Sequence, residues 1–254
     1  MKIAIIQTQL FWENPLENRK YFEQKINSIS DNVDLIVLPE MFTSGFTMNP
    51  NKVAETMSGE TIELIKLLAK TKNCAITGSL VILENDNYYN RMIFIFPDGN
   101  IEFYDKKNLF TLAGENKVYS PGNIRKIIEY KGFRFCLQIC YDLRFPVFSR
   151  NNNDYDALIY VANWPKTRIN AWNVLLKARA VENMSFVIGV NRIGTDNNNL
   201  EYSGESKIID YLGNNLIDAT NVDGVFIEKI NKNETIATRN KFGFLNDRDG
   251  FEML

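Results

Sequence analysis

Short apolar strands alternate with amphipathic helices along the chain, and this order constrains the fold more than any other feature. Residues 2–9 have the pattern of a buried strand, and a helix opens after them at Asn14, with apolar residues at helical spacing. Residues 33–38 have the pattern of a second strand, and a helix follows from Gly59 to about Lys72. This order is typical of an α/β protein.

The same alternation continues to the end of the sequence. A third strand is predicted at 75–83, and the turn Pro97-Asp98-Gly99-Asn100 predicts a hairpin between strands 91–96 and 101–104. Further strands are predicted at 133–139, 157–162, 186–190, 206–211, 215–219 and 225–230, with a helix at 169–184. Because no linker or repeat interrupts this order, we expect one α/β domain over residues 1–254, with two packed sheets and helices on their outer faces.

Charge and composition argue against polyanionic partners. The 254 residues include 29 basic and 31 acidic side chains, so the net charge is −2, whereas binding to nucleic acid or anionic lipid needs clustered positive charge. No apolar run reaches the length of a membrane span, and the N-terminal residues do not resemble a secretory signal. We therefore expect a cytoplasmic protein with no nucleic-acid or membrane partner.

The sequence contains no histidine, which restricts the chemistry available to it. Serine–histidine and cysteine–histidine catalysis and histidine-bound metals are all excluded, so any catalysis must use carboxylates, lysine and cysteine. The cysteines, Cys74, Cys136 and Cys140, are sparse and odd in number, which argues against a disulfide framework. Cys74 and Cys136 lie inside apolar strands, and we expect them to be packing residues.

Three residues are candidates for catalysis because of their positions. Glu40 follows a strand and a proline, and Cys140 ends an apolar strand at a polar turn, where a nucleophile is clear of its neighbours. Lys106 ends a hairpin strand, and Glu115 lies shortly after it. Taken singly, each has an ordinary interpretation: a surface glutamate, an inert buried cysteine, or an exposed lysine.

Taken together, these segments resemble the Glu-Lys-Cys signature of the nitrilase superfamily. The matching motifs are Leu38-Pro39-Glu40, Tyr104-Asp105-Lys106 and the run from Ile139-Cys140 to Pro146. Segments 41–46, 162–165 and 175–183 are similar to the omega-amidase branch. The resemblance implies a four-layer αββα sandwich that forms a homodimer. It also implies Glu40 as general base, Lys106 as oxyanion-stabilising lysine, Cys140 as nucleophile and Glu115 as supporting glutamate.

This trio has a physical rationale as an amidase. A carboxylate can take the proton of a thiol as its sulfur attacks an amide, and the ammonium of Lys106 with the backbone N–H of Tyr141 can stabilise the resulting oxyanion. A thioester then forms on Cys140 and is hydrolysed, and no metal or organic cofactor is required.

The resemblance also implies a small-molecule amide as substrate, either 2-oxoglutaramate or 2-oxosuccinamate. Candidates for binding its carboxylate are Arg144, Lys166 and Arg168, each of which can equally be a structural or surface charge. Trp164 can form a pocket wall or pack in the core.

One position departs from the family pattern and leaves other interpretations open. Relatives commonly carry histidine two residues after the catalytic lysine, where this sequence has Asn108. Because asparagine forms hydrogen bonds but cannot become a cation, we expect the site to survive with altered pH behaviour. The alternatives are a superfamily hydrolase acting on a carbamoyl group, a nitrile or another amide, and a binding protein that has kept the fold without catalysis.

Overall fold

Two β-sheets form the centre of the molecule in the computed structural model, which describes residues 1–152 and 154–251. The strands of the described residues are β1 Lys2–Gln7, β2 Leu35–Val37, β3 Ala75–Glu84, β4 Asn87–Ile95, β5 Ile101–Asp105, β6 Ile127–Tyr130, β7 Phe133–Ile139, β8 Ala157–Val161, β9 Phe186–Val190, β10 Ile193–Thr195, β11 Glu201–Ile209, β12 Asn215–Thr220 and β13 Gly224–Lys229. The helices are α1 Pro15–Asn27, α2 Glu60–Lys72, α3 Pro146–Ser149, α4 Ile169–Glu182 and α5 Lys232–Phe242. No helix within the described ranges combines the length and apolar character that a bilayer span requires.

Each sheet has a parallel centre and antiparallel edges. The first sheet has the order β13-β1-β2-β3-β4-β5, and β1, β2 and β3 are parallel because α1 and α2 connect them as crossovers. The second has the order β10-β11-β9-β8-β7-β6, with β12 paired to β11, and β7, β8 and β9 are parallel. The hairpin predicted at Pro97–Asn100 joins β4 to β5.

The core consists of an inner layer between the sheets and two outer layers beneath the helices. Apolar side chains of both sheets meet in the inner layer, among them Ile5, Val37, Leu137, Ile159 and Ile188. Helices α1 and α2 cover the first sheet, and α4 covers the second. The layers are therefore helix, sheet, sheet, helix, which confirms the predicted αββα sandwich.

Four elements were missed in the sequence, and two strands begin several residues earlier than predicted. The missed elements are β6, β10, the four-residue helix α3, and α5. Both strands are short, and α5 buries Thr235 rather than an apolar stripe, so the periodicity that predicts a helix is lacking. Strand β4 begins at Asn87 instead of residue 91, and β11 begins at Glu201 instead of residue 206. The first of these shifts places Asn90 inside a buried strand.

Candidate active site

A lysine between two carboxylates lies at one end of the sandwich, where loops from both sheets meet. Lys106, Glu40 and Glu115 have no solvent-exposed surface. Lys106 Nζ donates to Glu40 Oε1 at 2.9 Å and to Glu115 Oε1 and Oε2 at 3.0 and 2.9 Å. Burial acts to lower the pKa of the Lys106 ammonium, but the charges of Glu115 and Glu40 outweigh burial and raise it. The lysine is therefore a fixed cation.

Two asparagines hold the Glu40 carboxylate in place. Asn90 Nδ2 donates to Glu40 Oε1 at 2.8 Å and to Glu115 Oε1 at 3.3 Å. Asn163, which follows β8, donates its backbone N–H to Glu40 Oε2 at 2.7 Å and its Nδ2 to the Glu40 carbonyl at 2.7 Å. Gly78 makes room for this segment, because a Cβ at that position would lie 2.7 Å from the Cβ of Leu38. Glu40 is thus fixed by residues from both sheets.

Cys140 stands on a strained turn directly after β7. Its φ is +44°, in the left-handed region that non-glycine residues rarely adopt. Asp142 holds the turn, since its Oδ2 accepts from the backbone N–H of Ile139 at 2.9 Å and from the hydroxyl of Tyr104 at 2.8 Å. The turn lifts Cys140 out of the strand and into the site, as a nucleophile elbow does.

The surroundings of Cys140 keep its thiol protonated. Burial raises the pKa of the thiol well above its ordinary value, and the charge of Glu40 together with a hydrogen bond to it raises the pKa further. Lys106 opposes these effects only in part. A neutral thiol is a poor nucleophile, so attack requires that its proton be taken up by a nearby base.

A cavity of about 370 Å³ opens onto Cys140. Its lining residues include Trp12, Phe46, Phe110, Tyr141, Asn163, Trp164 and Tyr202. Lys106 Nζ lies 5.1 Å from the centre of the Phe46 ring, which places the ammonium just behind the wall of the cavity. The cavity is mostly aromatic and has a size suited to a small organic molecule.

Two arginines line this cavity, and each stacks on an aromatic wall residue. The Arg144 guanidinium lies 5.1 Å from the ring of Trp164, and that of Arg168 lies 5.3 Å from the ring of Phe110. Within the described part of the chain, neither arginine forms an ion pair. Lys166, the other candidate cation, is exposed and pairs with Glu201 at 2.8 Å outside the cavity.

The structure brings the predicted residues together and adds others. Glu40, Lys106, Glu115 and Cys140 meet as expected, and Tyr141, Arg144 and Trp164 line the cavity beside them. Trp164 is also a core residue, 5.6 Å from Trp172. Cys74 and Cys136 are fully buried packing residues, and burial raises their thiol pKa values to about 11 and about 12.

Three site residues escaped sequence reasoning: Asn90, Asp142 and Asn163. Asn163 lies in segment 162–165, which resembles the omega-amidase branch, but no role was predicted for it. Asn90 directly preceded the predicted strand at 91–96, where an asparagine is an ordinary turn residue. Asp142 lies inside the motif that runs from Ile139-Cys140 to Pro146, but its position two residues after Cys140 did not predict that its side chain holds the cysteine turn. A polar residue at the border of an apolar strand was the one signal available for Asn90.

The sequence profile described as Carbon-nitrogen hydrolase matches residues 2–240. The chain belongs to the carbon-nitrogen hydrolase family. It is 41% identical to an omega-amidase YafV of Yersinia enterocolitica, covering 100% of this chain and 99% of that protein. It is 32% identical to a 2-oxoglutaramate amidase of Bacillus subtilis, covering 96% of each.

A solved structure gives the same result for the fold. A CN-hydrolase superfamily protein from Xanthomonas campestris, which carries an arsenic adduct in its active site, superimposes with a TM-score of 0.97 at 38% identity. The match covers 100% of this chain and 98% of that one. The fold of this chain is thus that of a carbon-nitrogen hydrolase.

Asn108 supports the cysteine turn of this hydrolase. Its backbone N–H and its side-chain Nδ2 both donate to Asp142 Oδ1 at 2.9 Å. Asp142 is fully buried, and burial raises its pKa. Asn108 therefore connects the loop after Lys106 to the turn at Cys140, and it does so without a titrating group.

Replacing Asn108 by histidine is expected to move the acid limb of the pH–rate profile to lower pH. A histidine at this position gains a carboxylate partner in Asp142, and its cationic form favours ionisation of the nearby carboxylates. The measurement is kcat/KM for amide hydrolysis from pH 5 to 9 in wild type and Asn108→His, with Asn108→Gln as the non-titrating control. An unchanged profile in Asn108→His contradicts the expectation.

Proposed function

We propose that this hydrolase is an omega-amidase, which hydrolyses the terminal amide of 2-oxo dicarboxylic acid monoamides such as 2-oxoglutaramate and 2-oxosuccinamate. The observation that carries the proposal is the cavity at Cys140, which is lined by Arg144 and Arg168, two arginines without an ion pair in the described part of the chain. Similarity to omega-amidase YafV and to 2-oxoglutaramate amidase supports the same substrate class.

The proposed reaction begins with the attack of Cys140 on the amide carbonyl. Glu40 takes the thiol proton while the sulfur forms a bond to the carbonyl carbon. The oxyanion that develops is stabilised by the ammonium of Lys106 and by the backbone N–H of Tyr141. Tyr141 lies at the start of the turn after β7, where backbone N–H groups have no acceptor within the turn. Two of the three Lys106 contacts go to the single carboxylate of Glu115, so one N–H can turn towards the oxyanion.

Release of the products uses the same carboxylate in three further proton transfers. Protonated Glu40 gives its proton to the amide nitrogen, the C–N bond breaks, and ammonia leaves a thioester on Cys140. Glu40 then takes a proton from water as that water attacks the thioester carbon. When the second intermediate collapses, the C–S bond breaks, the acid is released, and Glu40 returns the proton it took from water to the sulfur. The side chains present complete this cycle with acid–base and nucleophilic steps alone.

The two arginines provide the proposed recognition of the substrate carboxylate. Guanidinium groups bind carboxylates through paired N–H donors, and stacking on Trp164 and Phe110 fixes the planes of Arg144 and Arg168. The backbone carbonyl of Arg168 also accepts a hydrogen bond from Trp164 Nε1 at 2.8 Å. The amide end of the substrate then points towards Cys140 and the carboxylate end towards the opening.

The cellular setting is proposed with the same function. We infer a cytoplasmic homodimer with no nucleic-acid or membrane partner. Three cysteines without disulfides fit a reducing compartment, which localisation of a tagged protein tests. Exposed apolar side chains offer a surface for a second copy, which sedimentation equilibrium tests: Val174 and Val181 of α4, Val147 of α3, and Phe145 just before α3.

The substrate proposal predicts a clear order in an ammonia-release assay. The purified protein is expected to release ammonia from 2-oxoglutaramate or 2-oxosuccinamate with a larger kcat/KM than from glutamine, asparagine or carbamoyl compounds. Glutamine and asparagine carry an α-ammonium group where the 2-oxo acids carry a neutral carbonyl. This positive charge would lie next to the arginines of the cavity, which repel it. Preference for a carbamoyl compound or a nitrile would instead support another hydrolase of this family.

Cys140→Ala is expected to abolish ammonia release and leave the fold intact. The side chain is small and stands in a turn at the cavity, so its packing contribution is limited, whereas the thioester cannot form without it. Ammonia release and the thermal midpoint are measured together, with Cys74→Ala as a control for loss of a thiol. Residual turnover at the wild-type rate would remove Cys140 from the nucleophile role.

Arg144→Ala and Arg168→Ala are each expected to raise KM for 2-oxoglutaramate by about 10- to 100-fold, the effect of losing a hydrogen bond to a charged group. For an uncharged aliphatic amide of similar size, kcat/KM should change little. Lys166→Ala is the matched control, because Lys166 is a nearby cation outside the cavity. Equal effects on charged and uncharged amides would contradict carboxylate recognition.

A further inference from the structure

The side-chain amide of Asn90 occupies an unusual position between two carboxylates. Its Nδ2 lies 2.8 Å from Glu40 Oε1 and 3.3 Å from Glu115 Oε1, and all three residues are fully buried. Both neighbours of this nitrogen are carboxylate oxygens, which accept hydrogen bonds. Because the amide oxygen cannot donate a hydrogen bond, the N–H₂ group must be the end that faces the carboxylates.

This orientation leaves the other end of the amide unsatisfied. Asn90 Oδ1 is buried and has no hydrogen-bond partner among the described residues. An unpaired buried oxygen destabilises the fold, and an apolar side chain at this strand position would avoid that penalty. The asparagine is thus poorly explained by stability, and its donor group must serve the carboxylates.

The donors around Glu40 are distributed unequally between its two oxygens. Oε1 accepts two short hydrogen bonds, from Asn90 at 2.8 Å and from Lys106 at 2.9 Å. Oε2 accepts one short bond from the backbone N–H of Asn163 at 2.7 Å and one long contact from Asn163 Nδ2 at 3.4 Å. Because Asn163 Nδ2 also donates to the Glu40 carbonyl at 2.7 Å, the long contact can be given up at little loss.

We propose that Asn90 is a positioning residue that saturates Glu40 Oε1 and thereby directs proton transfer from Cys140 to Oε2. The proposal rests on the proposed role of Glu40 as general base. In the first step the S–H bond breaks, an O–H bond forms at Oε2, and the electron pair left on sulfur makes the bond to the amide carbon. The proton on Oε2 then passes to the leaving nitrogen as the C–N bond breaks.

Asn90 also separates two like charges. Glu40 and Glu115 share one ammonium, and the Asn90 amide donates to one oxygen of each carboxyl group. Donors to the ionised form favour that form. Without them the pair takes up a proton at higher pH, and a protonated base cannot accept the proton of the thiol.

The test compares wild type, Asn90→Ala and the control Asn151→Ala across pH 5 to 9. Asn151 is another buried asparagine, with hydrogen bonds to the carbonyls of Tyr155 and Asn183 outside the site, and it matches the loss of a buried amide. One readout is kcat and KM for 2-oxoglutaramate. The other is the rate at which iodoacetamide alkylates Cys140, measured by mass spectrometry. Alkylation depends on Glu40 as the base and requires no assumption about the substrate.

In Asn90→Ala, kcat is expected to fall about 10- to 100-fold with little change in KM, as for loss of a hydrogen bond to a charged group. The acid limb of both profiles is expected to move up by at least about one pH unit. Asn151→Ala should keep the wild-type profiles. If Asn90→Ala has the same profiles as Asn151→Ala, the proposal is overturned.

Two further outcomes are decisive. Should Asn90→Ala fail to fold, Asn90→Asp is the second variant, because it keeps the shape of the side chain and adds a carboxylate to the cluster. It must shift the acid limb of the pH profile in the same direction as expected for Asn90→Ala. An unshifted acid limb in Asn90→Asp overturns the proposal. If wild type does not hydrolyse 2-oxoglutaramate while alkylation of Cys140 still shifts in Asn90→Ala, the role of Asn90 stands and the substrate proposal fails.

Discussion

The buried ammonium of Lys106 between Glu40 and Glu115 is the interaction on which the rest of the site depends. Removing three charges from water is expensive, and such a cluster persists only where hydrogen bonds satisfy every charged atom. The donors come from β4, from the loop after β8 and from the residues before Glu115, so elements of both sheets must meet at one point. The sandwich fold meets this requirement, and the site in turn ties its two sheets together at that end.

The burial of Cys140 beside the carboxylate of Glu40 explains how the cysteine works. In cysteine–histidine enzymes a cationic imidazole stabilises the thiolate before the substrate arrives. Here burial and Glu40 keep the Cys140 thiol protonated, and the chain has no histidine to reverse this. Deprotonation must therefore accompany attack, and the precise placement of Glu40 matters more than the acidity of the thiol. This is why so many donors, including Asn90 and Asn163, are devoted to one carboxylate.

Part of the fold and of the site could be predicted from the sequence. Strand–helix alternation predicted one α/β domain with two packed sheets and outer helices, and strand ends made Glu40, Lys106 and Cys140 candidates. The resemblance to the nitrilase signature was needed to select them as a catalytic trio and to predict the αββα sandwich. The residues that support them were harder to identify, since their roles depend on contacts between distant segments. Asn90 lies 50 positions from Glu40, and Asn163 lies 123 positions from it. Helix α5 was missed because it packs through few side chains, so its sequence has no apolar period to detect.

The distribution of charge along the cavity gives the substrate a direction. At the deep end, Glu40, Lys106 and Glu115 have no solvent-exposed surface, and the ammonium of Lys106 donates to both carboxyl groups. Towards the opening, Arg144 is exposed and Arg168 is partly exposed, and both are positive. A molecule with a carboxylate at one end and a neutral amide at the other is attracted to these arginines at its anionic group. The neutral amide is then the end that reaches Cys140, so the guanidinium groups at the opening orient the bond to be broken.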